Sequence, residues 1–148
     1  MEITWTVVKF EDLKAIDVYN IMQLRSEVFV VEQNCVYQDA DGKDPKCYHL
    51  LGMRGDQLVA YTRLLPKGLS FIEASIGRVV SSPSIRGTGI GRTLMLRSIN
   101  EIKNLFGEGP IRIGAQYYLL QFYSSLGFKQ EGEIYLEDGI QHVEMVKL

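Results

Sequence analysis

Apolar residues along the chain change their period repeatedly, and each change marks an element. From Ile3 to Phe10 the β-branched and aromatic content reads as a strand, with Ile3, Trp5 and Val7 placed to share one face. Ile16, Tyr19, Ile21, Leu24, Val28 and Val31 then recur at helical spacing, with Asp17, Gln23 and Glu27 between them. That spacing predicts a helix from about Leu13 to Val31, capped by Asp12. Gln33 to Cys47 is polar, turn-rich and without period, which predicts an irregular connection of a length more often functional or mobile than idle. Tyr48 to Arg54 and Gln57 to Leu65, joined by Gly55-Asp56, read as a β-hairpin. A third strand is predicted from Phe71 or Ile72 to Val80.

A helix follows from about Gly89, with Ile90, Leu94, Met95, Ile99, Ile102 and Phe106 on a broad face and Gly107 as its stop. Ile111 to Ala115 is a short strand, Tyr118 to Leu126 a short helix, and Phe128 or Lys129 to Glu137 and Gln141 to Leu148 a closing hairpin turned by Asp138-Gly139. The order is β-α-β-β-β-α-β-α-β-β. Helices between strands imply a parallel neighbour somewhere and hairpins imply antiparallel ones, so a mixed sheet of the α/β (α+β) class is expected.

The stretch from Ile76 to Met95 carries the most chemistry. Strand-forming residues end at Ser82-Pro83, and Gly87, Gly89 and Gly91 strip side chains from the start of the next helix. The first backbone N–H groups of a helix have no internal partner, so a phosphate could fill that role beside Arg86 and Arg92. An ordinary glycine-rich turn with two solvated arginines accounts for the same pattern.

Composition changes this picture only by exclusion. The 148 residues suit one domain, residues 1–148, with 46% hydrophobic and 23% charged positions. A net charge of -2 with scattered basic residues gives no nucleic-acid signature, and no apolar run approaches a membrane span. The amino terminus lacks the pattern of a secretory leader, so a cytoplasmic setting is expected. Cys35 and Cys47 cannot fill a zinc shell, and Asp39, Asp41 and Asp44 lack the spacing of a calcium loop, so no metal is expected. The three acids read either as a solvated loop or as a lure for a cationic substrate.

Two motifs give these elements a resemblance. Arg86-Gly87-Thr88-Gly89-Ile90-Gly91 is similar to the pyrophosphate loop of the GCN5-related N-acetyltransferase (GNAT) superfamily. Phe122-Tyr123-Ser124-Ser125-Leu126-Gly127-Phe128 is similar to its later motif. Arg25, Val28 to Gln33, Tyr37 to Asp41, His49, Ile76 to Val79 and Gly114 to Gln116 resemble its ElaA-like branch, so the likeness covers nearly the whole chain. The resemblance implies a three-layer α-β-α sandwich around a splayed mixed sheet, with acetyl-CoA or coenzyme A as cofactor and an amine-bearing small molecule or peptide as acceptor. It implies that Val79, Val80 and Ser81 pair with pantetheine. It places the pyrophosphate on Arg86, Gly87, Thr88, Gly89, Ile90, Gly91 and Arg92, with Phe122 and Tyr123 also at the cofactor.

Carried over in the same way, Tyr123 is the candidate acid for the departing thiolate, although it could equally be a packing aromatic. His49 is the candidate base, because an imidazole takes up protons near neutral pH; Glu32, Asp39, Asp41 and Glu73 are alternatives. His142 reads as exposed. Arg25, Glu32, Asp39, Arg78 and Gln116 are candidate acceptor contacts, Arg25 and Arg78 being equally readable as ion-pair members. Transfer of a longer acyl group and a non-catalytic CoA-binding module remain as alternatives, and exposed edges near the last hairpin could pair two copies.

The loop needs bare amides more than particular side chains. Gly89→Val is therefore expected to raise the acetyl-CoA dissociation constant at least about tenfold, or about 1.4 kcal/mol. Calorimetric titration checks this, and unchanged affinity in a folded variant rejects it.

Overall fold

In the computed structural model, which describes residues 2–148, the strands form two antiparallel sheets that share a core. The first runs in the order β1 (Thr4–Lys9), β2 (Tyr48–Arg54), β3 (Gln57–Leu65) and β4 (Ser75–Ser81). The second places β7 (Ile140–Lys147) between β5 (Ile111–Gln116) and β6 (Lys129–Glu137). A parallel bridge between Ala74 and Ile111 joins them, reinforced by Arg112 N–H donating to Ala74 O at 3.0 Å. The expected mixture of strand directions is thus concentrated at one point.

Helices cover both faces of the first sheet. Neighbouring residues on a strand point to opposite sides, so Leu50 and Leu51 serve different cores. Leu50, Val59, Leu64 and Ile76 pack with Ile90, Leu94, Met95 and Ile99 of α2 (Ile90–Phe106), together with Ile113, Val143 and Met145 of the second sheet. Leu51, Leu58, Tyr61 and Val80 pack on the other face with Ile21 and Leu24 of α1 (Ala15–Arg25) and with Val28. The result is an α-β-α arrangement in which β3 is buried along almost its whole length.

Several predicted boundaries move for local reasons. Asp12 ends a short turn instead of capping the helix; Asp17 does that work, accepting from Lys14 N–H at 3.0 Å. The helix continues past Arg25 but widens to π geometry over Ser26–Glu32, with Gln33 N–H reaching Val28 O and Cys35 N–H reaching Val30 O, both at 3.0 Å. The third strand begins at Ser75, later than expected, because residues 67–73 form turns and bends. The helix expected from Tyr118 to Leu126 is a 3-10 turn, Tyr117–Leu119, followed by α3, Leu120–Ser124.

The largest correction concerns the acidic connection, which is no solvated loop. Asp39 accepts from Arg25 Nε at 2.7 Å and from Arg78 Nε at 2.8 Å. Asp41 takes both terminal nitrogens of Arg63, at 2.8 and 2.9 Å, and Asp44 bridges Arg25 and Arg63 at 2.9 and 3.0 Å. Tyr37 donates to Asp39 at 2.9 Å. Burial works against the Asp44 carboxylate, yet the hydrogen bonds and charges of Arg25 and Arg63 outweigh it and hold its pKa below the ordinary range. At Asp41, burial is likewise overcome, by Arg63, by the Lys43 N–H and by the charge of Arg78.

Removing one member of such a network strands buried charge. Asp44→Asn is expected to cost about 3–5 kcal/mol of folding free energy, read as a lower urea midpoint at pH 7. Because these carboxyl pKa values are depressed, their stabilisation is complete above the unfolded carboxylate value of about 4 and fades as pH falls below it. The gap between parent and variant should therefore shrink on acidification. Equal midpoints at pH 7 contradict this.

Candidate active site

Beyond Ala74 and Ile111, β4 and β5 part, and a cleft of about 1240 Å³ opens between the sheets. One wall is β4 from Gly77 to Ser81, and the opposite wall comes from Ile113, Gly114 and Gln116 of β5, with Phe122 and Tyr123 of α3. The β6–β7 hairpin contributes Tyr135, Glu137 and His142, and the π-helical turn contributes Val28, Phe29 and Glu32.

The β4 wall carries a bulge. Tyr61 pairs with Val80 and Arg63 with Gly77, so Arg78 and Val79 together oppose Thr62. The surplus residue of a bulge leaves ladder groups unpaired and bends its strand. Arg78 takes a left-handed backbone, φ 49°, which is uncommon for a branched-free but bulky side chain without support. Asp39 supplies that support through its carboxylate at 2.8 Å and its carbonyl at 2.9 Å.

The glycine loop after β4 has the geometry its composition suggests. Gly87 and Gly89 both sit at φ 81°, where a Cβ would strain the backbone although no neighbour crowds it. Ile85 N–H bonds Ser82 O, and the next backbone donor with a protein acceptor among the described residues is Thr93, to Gly89 O at 3.3 Å. The amides from Arg86 to Arg92 therefore stand free at the positive end of α2. Arg86 and Gly91 border the cleft, whereas Arg92 turns away to Ser125 at 3.3 Å. Arg86 forms a forked pair with Glu32 at 2.5 and 2.6 Å across the cleft mouth, and that contact lowers the Glu32 pKa.

Among the other residues singled out from sequence, Val79, Val80, Ser81, Phe122, Tyr123, Arg78, Glu32 and Gln116 all border this cleft. Tyr123 is 5% exposed, and burial, aided by Tyr118, pushes its phenol well above the ordinary value, so it stays protonated. Phe122 and Phe128 meet its ring edge-on at 5.1 and 6.1 Å.

His49, Arg25 and Asp39 are placed differently. His49 is 1% exposed, with Nδ1 2.6 Å from the Tyr61 hydroxyl and Nε2 3.0 Å from Asp44 O. Burial lowers its pKa despite the nearby Asp44, and it does not border the cleft, so the geometry removes the basis for choosing it as base. Arg25 is fully buried under Asp39 and Asp44 and stacks on Tyr61 at 5.9 Å; neither it nor Asp39 reaches the cleft surface. Asp39 instead holds Arg78 and is itself held by Arg25, the ion-pair alternative. Glu73, also weighed as a base, is paired with Arg112 at 3.0 Å, and Asp41 with Arg63.

His142, read from sequence as exposed, is 8% exposed and faces the cleft. Its ring stacks on Tyr135 across the hairpin at 5.8 Å. The two-residue turn Asp138-Gly139 dictates that pairing, and counting back from it was the available signal. Gln116 exchanges two amide hydrogen bonds with Gln33, at 3.1 and 3.2 Å, tying the π-helical turn to the far sheet.

Comparison with known proteins agrees with this geometry. The chain is 40% identical over 147 residues to protein ElaA of Escherichia coli, covering 98% of this chain and 96% of that one. The ElaA crystal structure superposes with a TM-score of 0.92, over 99% of this chain and all of that one. An acyl-CoA N-acyltransferase from Pseudomonas aeruginosa superposes at 0.94 with 40% identity, over 99% and 100% of the two chains. Residues 15–148 match the model of the acetyltransferase (GNAT) domain, and the chain belongs to that acyltransferase family.

Proposed function

We propose that the protein is an acetyl-CoA-dependent N-acetyltransferase that moves the acetyl group to a primary amine by direct attack within a ternary complex. The observation that carries this reading is the single cleft in which a bulged, partly unpaired β4 lies between a glycine-lined helix start and the buried phenol of Tyr123. The free amides from Arg86 to Arg92, with the α2 dipole behind them, suit a diphosphate. Pantetheine would then run along Val79, Val80 and Ser81 as an added strand, bringing the thioester to the bulge.

Held there, a neutral amine needs no nucleophilic side chain, because positioning removes much of the entropic barrier. The amine nitrogen bonds to the thioester carbon, the carbon–sulfur bond breaks, and the sulfur takes a proton from the Tyr123 hydroxyl, which the proton shed by the nitrogen replaces. Burial keeps that proton in place until the thiolate charge develops beside it. A cytoplasmic setting, where acetyl-CoA is made and used, fits this chemistry.

Thiol release measured with a primary-amine library, and with acetyl-CoA and longer acyl-CoAs in parallel, tests the reaction; absence of release with every acyl-CoA and amine rejects it. Tyr123→Phe is expected to lower kcat at least about tenfold while leaving the acetyl-CoA dissociation constant within about threefold. An unchanged kcat across pH removes Tyr123 as the acid.

A further inference from the structure

The hairpin wall of the cleft holds a proton acceptor to which the reaction above assigns no part. His142 Nδ1 lies 2.7 Å from Ile140 O. A carbonyl can only accept, so Nδ1 carries the hydrogen and the neutral ring presents its lone pair at Nε2. Nε2 faces Glu137 Oε2 at 3.5 Å, beyond hydrogen-bond range, so the carboxylate is near enough to stabilise an imidazolium without occupying the nitrogen. Tyr135 fixes the plane of the ring, stacked at 26°.

The surroundings of His142 are built for a cation. From β6 it meets Tyr135 and Glu137, and from its own strand Glu144, two residues on and on the same face. From β5 its ladder partner is the neutral Gln116, already held by Gln33. The strand cations are taken up by carboxylates: Arg112 of β5 by Glu73, Glu131 and Glu144 at 3.0, 2.8 and 2.9 Å, and Arg63 and Arg78 across the cleft by Asp41, Asp44 and Asp39. Gly114 leaves room for the Tyr135 hydroxyl, which a Cβ there would approach to 3.1 Å.

We propose that the acceptor docks its ammonium group against this wall and gives a proton to His142 Nε2, which makes His142 the catalytic base. The inference rests on the N-acetyltransfer reading and names the site and charge state of its acceptor, a primary ammonium ion. One ammonium proton moves to Nε2, and the resulting amine attacks the thioester carbon. As the carbon–nitrogen bond forms, the nitrogen sheds a second proton, which restores the one Tyr123 lends to sulfur. The imidazolium then loses its proton to solvent, so each turnover releases one proton overall. Glu137 is a positioning residue that acts through the charge of the ring.

The test compares parent, His142→Gln and Glu137→Gln with acetyl-CoA and whichever amine of a panel of spermidine, benzylamine and Nα-acetyl-lysine amide is turned over. His142→Gln should lose at least about thirtyfold in kcat/KM at pH 7, keep its acetyl-CoA affinity, and recover toward the parent as pH rises and free amine accumulates in solution. Glu137→Gln, whose side chain is 62% exposed in the parent and so tolerates replacement, should move the acidic limb of kcat/KM to lower pH. It reads the same proposal if His142→Gln fails to fold. A parent-like profile in both variants overturns the base and leaves the transferase reading standing. A parent that binds acetyl-CoA but acetylates no amine on the panel overturns the base together with that reading.

Discussion

The parting of β4 from β5 is the constraint on which the rest of the molecule depends. A continuous parallel pairing would satisfy every ladder group and close the space between the two sheets. Instead the pairing is confined to the bridge at Ala74 and Ile111, and the bulge at Arg78 and Val79 carries β4 away from its neighbour. The chain thereby keeps backbone donors and acceptors available beside a cleft lined on both sides by rigid strands. A ligand able to behave as a strand is suited to that position, as is the extended arm of a CoA thioester.

Such a strand is costly to hold, and the acidic connection helps hold it. Arg78 adopts a left-handed backbone at the bulge, and Asp39 fixes its guanidinium; Asp39 is itself fixed by the buried Arg25. Asp41 and Asp44 repeat the arrangement around Arg63. Buried ion pairs of this kind are poor sources of net stability but severe penalties when half broken, so they favour one conformation over its neighbours. Here that conformation links α1, the connection, β3 and β4, and it sets one end of the cleft.

The facing wall of the cleft depends on the closing hairpin. Asp138-Gly139 sets its register, which brings Tyr135 against His142 and places both across from Gly114 and Gln116. The Gln33–Gln116 amide pair then ties this sheet to the turn after α1. The cleft is therefore bounded by contacts between residues far apart in sequence, while the free amides at the start of α2 arise within a few residues of one another.

That difference in range separates what could be read without coordinates from what could not. The strands Tyr48–Arg54 and Gln57–Leu65, the glycine-led α2 and the turned hairpin follow from local period, from positive-φ glycines and from turn chemistry, so the sequence by itself determined them along with the free amides. Only the tertiary structure decided that Asp39, Asp41 and Asp44 are ion-paired, that His49 is enclosed by Tyr61 and Asp44, and that His142 faces the cleft. Charge and aromatic type look alike in sequence whether a side chain meets water or a partner. Burial is set by which distant segment packs over it, and no local pattern encodes that.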